Sequence, residues 1–375
     1  MSPVPRLFLA ATGQNRGKTT ASLGLIAAMT ARGRRIGFVK PVGQRYLLVD
    51  GTRADEDAVL MKAVFGLADA LNDMSPVTLP RHFTTDFVMG RIHGDLAREM
   101  TDAVARVAAG KDLLVIEGTG HAGVGAVVGL SNARVAALLD APVVIVSEGG
   151  VGRPIDEIVL NRALFERHGV RVLGAVVNKV DIESHPDLPE ILQQGLAQHG
   201  LDLLGCIPYS QMLANPSLEL IVTHLEGELL AGEAAAERTI GRVAIGAMHA
   251  DHAIALLEDR TLVITPGDRE DLIEACLAAN RVGAGAVVTG MVLTGGFRPS
   301  PAVLAQLRAA DLFAYLVTTD TYRTAQAVDE ILVKTHPTDI DKIATIKQLV
   351  GRSLDADALL GLLEGDSLTR RTMPR

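Results

Sequence analysis

At 375 residues, 48% of them hydrophobic, the chain is longer than one ordinary domain and has enough apolar side chains for two cores. Its net charge of −8, with no concentrated basic run, argues against a surface that tracks a phosphate backbone, so no nucleic acid partner is expected; 3% aromatics and no Trp leave little to stack bases on. Cys206 and Cys276 lie far apart in apolar stretches and read as reduced, buried thiols, which points to the cytoplasm.

The apolar segment 7–11 runs directly into a glycine-rich loop and does not read as a signal peptide, and no apolar run approaches the ~20 residues of a membrane span. A soluble, cytoplasmic chain with no membrane partner is the expectation. The first half alternates β-branched runs with helical stretches, the pattern of βαβ units around a parallel sheet buried on both faces. Strands are predicted at 6–11, 36–40, 113–117, 143–147, 174–178 and 203–207, and helices at 18–32, 84–109, 133–138, 155–168 and 188–198. Asn215-Pro216 and an Ala/Gly/Glu-rich stretch at 226–237 mark a boundary. Beyond it, strands at 243–246, 262–265, 286–293 and 312–318 alternate with helices at 269–280, 302–310 and 321–333. The predicted organisation is a doubly wound α/β domain at 1–213, a linker at 214–238, a smaller α/β domain at 239–350 and a mobile tail at 351–375.

The strongest motif is Thr12-Gly13-Gln14-Asn15-Arg16-Gly17-Lys18-Thr19-Thr20, a P-loop between a strand and a helix. Backbone N–H groups there converge on one point where phosphate oxygens can be held. Lys18 reaches the outer phosphates and the Thr19 hydroxyl coordinates magnesium. Thr12 stands where the general pattern has its first glycine. Glu117, at the tip of the 113–117 strand, is placed as a magnesium ligand, with a capping or turn carboxylate the alternative, and Asp57 of Asp55-Glu56-Asp57 as a second magnesium ligand, with a solvated acidic helix start that suits the helix dipole the competing reading. Lys40, ending the second strand, supplies fixed positive charge for an anionic acceptor or the transferred phosphoryl group. Asn178-Lys179-Val180-Asp181 ends a strand with an amide suited to a purine edge. The tetrapeptide resembles the base-reading motif of GTPases, so adenine and guanine both stay open on these residues. His121 could touch a substrate, though a lone loop histidine is more often a hydrogen-bonded surface residue. In the second half, Gly295-Gly296 and Asp320 at strand ends suit a small ligand, with a structural or dimerisation role the alternative.

Gly17-Lys18-Thr19, Lys40-Pro41-Val42, Glu117-Gly118, Asn178-Lys179 and Leu204-Gly205-Cys206-Ile207-Pro208, in that order over some 210 residues, resemble the dethiobiotin-synthetase-like branch of P-loop proteins. The resemblance implies Mg-ATP as cofactor and a carbamate or carboxylate acceptor. It assigns Lys18, Thr19, Lys40, Asp57 and Glu117 to phosphate, metal and substrate, and Asn178 with Pro208 to the adenine side. Gly43-Gln44-Arg45-Tyr46 replaces that family's small serine-containing turn, so dethiobiotin synthesis itself is not expected. Gly13 stands where the partition and nitrogenase-iron-protein relatives carry an early lysine, which disfavours a switch of their kind. Val263-Ile264-Thr265, Gly267-Asp268-Arg269-Glu270-Asp271, Leu293-Thr294-Gly295-Gly296 and Thr319-Asp320-Thr321-Tyr322-Arg323-Thr324 resemble the DRTGG domain. The two together resemble the amino-terminal portion of long phosphate acetyltransferases, and acetyl-transfer activity is not expected to be inherited with them. The resemblance implies either an ATPase or ATP-dependent ligase with an unidentified small-molecule acceptor, or a nucleotide- or metabolite-sensing module, in a homo-oligomer.

Overall fold

The computed structural model describes residues 4–92, 94–233, 238–281, 288–331 and 333–372, with side chains described as far as residue 365 at the last of these. The chain forms two compact units, Met1–Tyr209 together with Ala344–Arg375, and Ser210–Ile343.

In the first unit six strands, β1 (Arg6–Ala11), β2 (Ile36–Val39), β3 (Leu113–Glu117), β4 (Val143–Glu148), β5 (Val172–Val180) and β6 (Leu203–Pro208), pair in the order β6-β5-β4-β1-β3-β2. Every pairing is parallel. All five residues of β3 are buried, as are the last five of β1, because helices cover both faces of such a sheet. The register sets Leu9 of β1 level with Glu117 of β3, so the loops leaving these strands emerge together. Helix α1 (Lys18–Ala31) follows β1 directly, and α2 (Glu56–Phe65) follows a hairpin, Tyr46–Val49 paired with Thr52–Asp55. The sequence reading missed this hairpin. Its turn is Asp50-Gly51, both residues at positive φ (49° and 77°), the Asp-Gly chemistry of a tight two-residue connection.

The helix expected over 84–109 is two helices, Phe83–Val88 and α3 (Leu96–Ala108). Gly90 turns at φ 67°, and Asp95 caps α3 by accepting from the Arg98 N–H at 3.0 Å, so this stretch carries its own stop and start signals. Helix α4 (Asn132–Leu138) precedes β4 and α5 (Gly152–Arg167) follows it.

The second unit holds a sheet of β7 (Gly227–Ala231), β8 (Arg242–Ile245), β9 (Thr261–Pro266), β10 (Val288–Thr294) and β11 (Phe313–Val317), ordered β7-β11-β10-β9-β8. The pairings are parallel except β7 with β11. One buried cluster includes Val263, Cys276, Met291 and Leu307, and another Leu262, Val292, Phe313 and Tyr315, so the sheet is covered on both faces.

Two segments differ from expectation. Within the expected linker, Leu218–His224 is a helix with Leu218 and Ile221 buried, and β7 is an edge strand, so the segment forms part of the second unit's core; residues 234–237 of it lie outside the described residues. Its Leu229-Leu230-Ala231 run is masked by Gly and Glu on either side. The expected tail holds helix Ala356–Thr372, preceded by Ile340–Ser353, and Val350, Leu354, Leu359 and Leu363 are buried. Leu359 and Leu363 of the later helix are spaced as one helical face requires, a pair too short to stand out among the charged residues around it. Among the described residues, no helix is long and apolar enough to cross a membrane.

Candidate nucleotide site

The loop from Thr12 to Gly17 carries β1 into α1. Thr12 is tied to the sheet by its N–H to Val146 O at 3.0 Å and by a 3.1 Å hydroxyl contact with Ser147. Gln14 and Asn15 form the exposed crest, and Asn15 adopts φ 58°. Gly17, at φ 92°, begins α1 without a capping side chain, and no acidic residue occupies the helix's first turn. The orphan N–H groups and positive end of the helix dipole therefore suit an anion. Lys18 is buried, its Nζ 3.4 Å from Gly13 O, folded back over the loop. Thr20 lies in the first turn of α1.

The expected phosphate, metal and acceptor residues converge behind this loop. The Thr19 hydroxyl lies 3.1 Å from both Asp57 Oδ1 and Glu117 Oε1. Lys40 Nζ donates to Asp57 Oδ2 at 2.6 Å and Glu117 Oε1 at 2.8 Å. Glu117 is fully buried, and its Oε2 has no hydrogen-bond partner. Burial alone would lower the Lys40 ammonium, but Asp57 and Glu117 outweigh it and hold it well above its ordinary value. Burial raises the Glu117 carboxyl, and Lys40 only partly offsets that. Asp55 caps α2 by accepting from the Asp57 N–H at 3.0 Å, which fixes where Asp57 starts the helix; burial pushes its own carboxyl up to about 7 against the pull of Lys40. Of the acidic trio, Asp55 thus makes the cap and Asp57 faces the cluster.

These groups fit a magnesium ion by their chemistry: a hydroxyl and two carboxylates are hard oxygen donors, and one buried carboxylate oxygen has nothing else to bond. Asn178 lies on the other side of the loop. Its Nδ2 donates to Arg16 O at 3.3 Å, and a Cβ built on Gly17 would stand 1.9 Å from it, so glycine is required by contact as well as by φ. Asp181 accepts from the Ser184 N–H at 3.0 Å. Pro208 ends β6, one strand beyond Asn178, in register with Val180.

Two groups escaped the sequence reading. Glu148, at the tip of β4, binds Arg16 and takes Lys179 Nζ at 2.6 Å, so the loop's arginine is held by a strand-end carboxylate. The predicted strand stopped one residue short of it; an acid at a strand tip, the criterion that found Glu117, would have found this one. Buried Asn132 receives the Thr119 N–H at 3.1 Å and donates to the carbonyls of Thr119 and His121 at 2.8 and 2.7 Å, clamping the turn after Glu117. An asparagine at a helix start carries no mark of such a role in the sequence. His121 itself lines a cavity of about 620 Å³ with Thr12, Glu157, Leu160, Asn161 and Arg167.

In the second unit, Gly295 and Gly296 turn at φ 79° and 72° and give their N–H groups to Thr319 O and Val317 O. Asp320 caps the helix Thr321–Asp329 through the Arg323 N–H at 2.9 Å. These strand-end groups are engaged in turns and capping.

A parallel sheet whose first strand turns through glycine into an uncapped helix, with Lys18 and Thr19 in that helix's first turn and a buried carboxylate on the adjacent strand, defines a P-loop nucleotide-binding fold. Residues 5–217 match the AAA domain family and residues 220–331 the DRTGG domain; the chain belongs to this AAA-domain family, with the two domains in the order that the motifs predict. A phosphate acetyltransferase of Nitrosomonas europaea is 30% identical over 334 residues, taking in 85% of this chain and 46% of that protein. One of Synechocystis is 26% identical over 372 residues, 96% of this chain and 52% of that protein. The chain thus spans about half the length of the curated relatives it matches. Among solved structures, cobyrinic acid a,c-diamide synthase from Mycobacterium smegmatis with bound ADP and magnesium covers 56% of this chain and 88% of its own, at 17% identity and TM-score 0.37, too low a likeness to add to the sheet topology itself.

Proposed function

We propose that the chain binds Mg-ATP and transfers the terminal phosphoryl group to a carboxylate- or carbamate-type acceptor. The observation that carries this is the convergence of Thr19, Lys40, Asp57 and Glu117 beside the Lys18 loop, with Glu117 Oε2 buried and unbonded. Loop N–H groups and Lys18 hold the phosphates. Thr19, Asp57 and Glu117 hold the magnesium ion, which would supply charge neutralisation on the phosphate oxygens. Lys40 offers its charge to the acceptor or to the phosphoryl group in transit. Adenine is preferred over guanine on the family resemblance, with Asn178 on the base side.

A second reading, a nucleotide-sensing module that acts on a partner, is favoured by a different observation. The phosphate acetyltransferase relatives match across both domains, not the P-loop domain alone. Steady-state phosphate release from Mg-ATP and Mg-GTP, alone and with small carboxylates and amines, separates the two. Turnover that rises with one acceptor and disappears in Lys18→Ala supports the enzyme; tight binding without turnover moves the assignment to the sensor. Mg-ATP binding by Lys18→Ala as tight as wild type would sink both.

A further inference from the structure

The cage that fits magnesium already holds a cation. Lys40 Nζ sits 2.6 Å from Asp57 and 2.8 Å from Glu117, and it shares Glu117 Oε1 with the Thr19 hydroxyl. Its side chain is almost wholly buried, as is Glu117, so neither charge is screened by water.

We propose that Lys40 is a built-in counter-ion that exchanges with the divalent cation on Asp57 and Glu117, so that metal entry frees its ammonium. This rests on the magnesium reading of the same residues. The physical argument is one of charge and space. Two buried carboxylates left without a cation would be heavily penalised, and Lys40 removes that penalty. Magnesium requires its oxygen ligands at about 2.0–2.1 Å, and an ammonium bonded to those same oxygens would stand beside a doubly charged ion in a poorly screened site. The two cations therefore exclude one another from the shared oxygens. A metal that arrives with a nucleotide brings the negative phosphates to which a displaced ammonium is drawn, whereas a metal that arrives alone must expel Lys40 without that compensation.

The test uses Mn²⁺ alone on nucleotide-free full-length protein, with binding read by electron paramagnetic resonance. Lys40→Met, which keeps length and removes charge, should bind Mn²⁺ about tenfold or more tighter than wild type, and Lys40→Arg should stay as weak as wild type. Equal affinity in wild type and Lys40→Met would overturn the exchange while leaving the metal site standing. No Mn²⁺ binding by either protein at millimolar metal would also overturn the exchange, because removing the Lys40 charge would then not open the two carboxylates to a metal. Should Lys40→Met fail to fold, wild type alone decides by lysine acetylation followed by mass spectrometry. Lys40 should be labelled faster at saturating Mn²⁺ than without metal, and an unchanged rate would overturn the exchange.

Discussion

Gly17 is where conformation and contact make the same demand. Its φ of 92° costs an ordinary residue roughly 1–2 kcal/mol, and a methyl group there would displace the Asn178 amide that now steadies the loop through Arg16 O. Gly17→Ala should therefore lower nucleotide affinity by at least about tenfold, and titration calorimetry reads the loss directly; affinity equal to wild type would mean that the loop does not bind phosphate in this conformation. Glu117→Gln asks a narrower question, because it keeps the shape and removes the charge. The magnesium concentration for half-maximal nucleotide binding should rise by about tenfold or more, and an unchanged midpoint would take Glu117 out of the metal site. Thr19, Lys40 and Glu117 were legible in the sequence because each stands next to a strand end or glycine signal. Glu148, the partner of Arg16, was missed only because the predicted strand stopped one residue short of it, whereas the Asn132 clamp was not legible, since an asparagine at a helix start that bonds a distant turn leaves no periodic trace.

Elements were legible where a buried sheet or an amphipathic face imposes its period. All six strands of the first sheet lie on predicted runs, within two residues at either end, whereas the hairpin that delivers Asp55 and Asp57 is half exposed and has no hydrophobic alternation to betray it. The helix Glu270–Arg281 shows what the helical period specifies: Leu272, Ile273, Cys276 and Leu277 form its buried stripe. Burial pushes the Cys276 thiol up from 9.0 to about 12. The sign follows from proton binding. Above pH 9.0 the unfolded chain releases this proton and the folded chain keeps it, so the thiol's contribution is whole below pH 9.0 and is lost as pH rises towards about 12. Comparing urea unfolding of wild type and Cys276→Ala at about pH 8 and about pH 10.5, wild type should lose more stability, by up to about 1.4 kcal/mol per pH unit. Equal losses would place the thiol in a less apolar setting than the core that surrounds it here.

At the scale of the whole molecule, the chain leaves the first unit at Tyr209, builds the second, and re-enters the first at Ala344. Sequence-based boundaries divide a chain into consecutive pieces, and this return is what such a division cannot express. The returning segment belongs to the first unit's core: a Cβ on Gly24 of α1 would stand only 2.2 Å from Val350 Cβ, so the two backbones approach because position 24 has no side chain, and Leu354 bridges to Gly205 of β6. Arg32, which caps the C-terminal end of α1, adds paired hydrogen bonds of 2.8 Å to Asp357. Burying Val350, Leu354, Leu359 and Leu363 contributes about 1.5–3 kcal/mol for each side chain as an upper estimate, far more than the exposed Arg32–Asp357 pair. A fragment ending at Tyr209 would keep all six strands and the whole P-loop cluster yet expose the surface that these residues cover. Its unfolding midpoint should fall by roughly 10 °C or more below that of the first unit in the full chain, at about 2–4 °C per kcal/mol for a unit of this size. Differential scanning calorimetry of the two proteins measures the difference, with saturating nucleotide identifying the first unit's transition by its upward shift. A fragment that melts with the full chain's nucleotide-shifted transition would show that the returning helices only decorate the first unit.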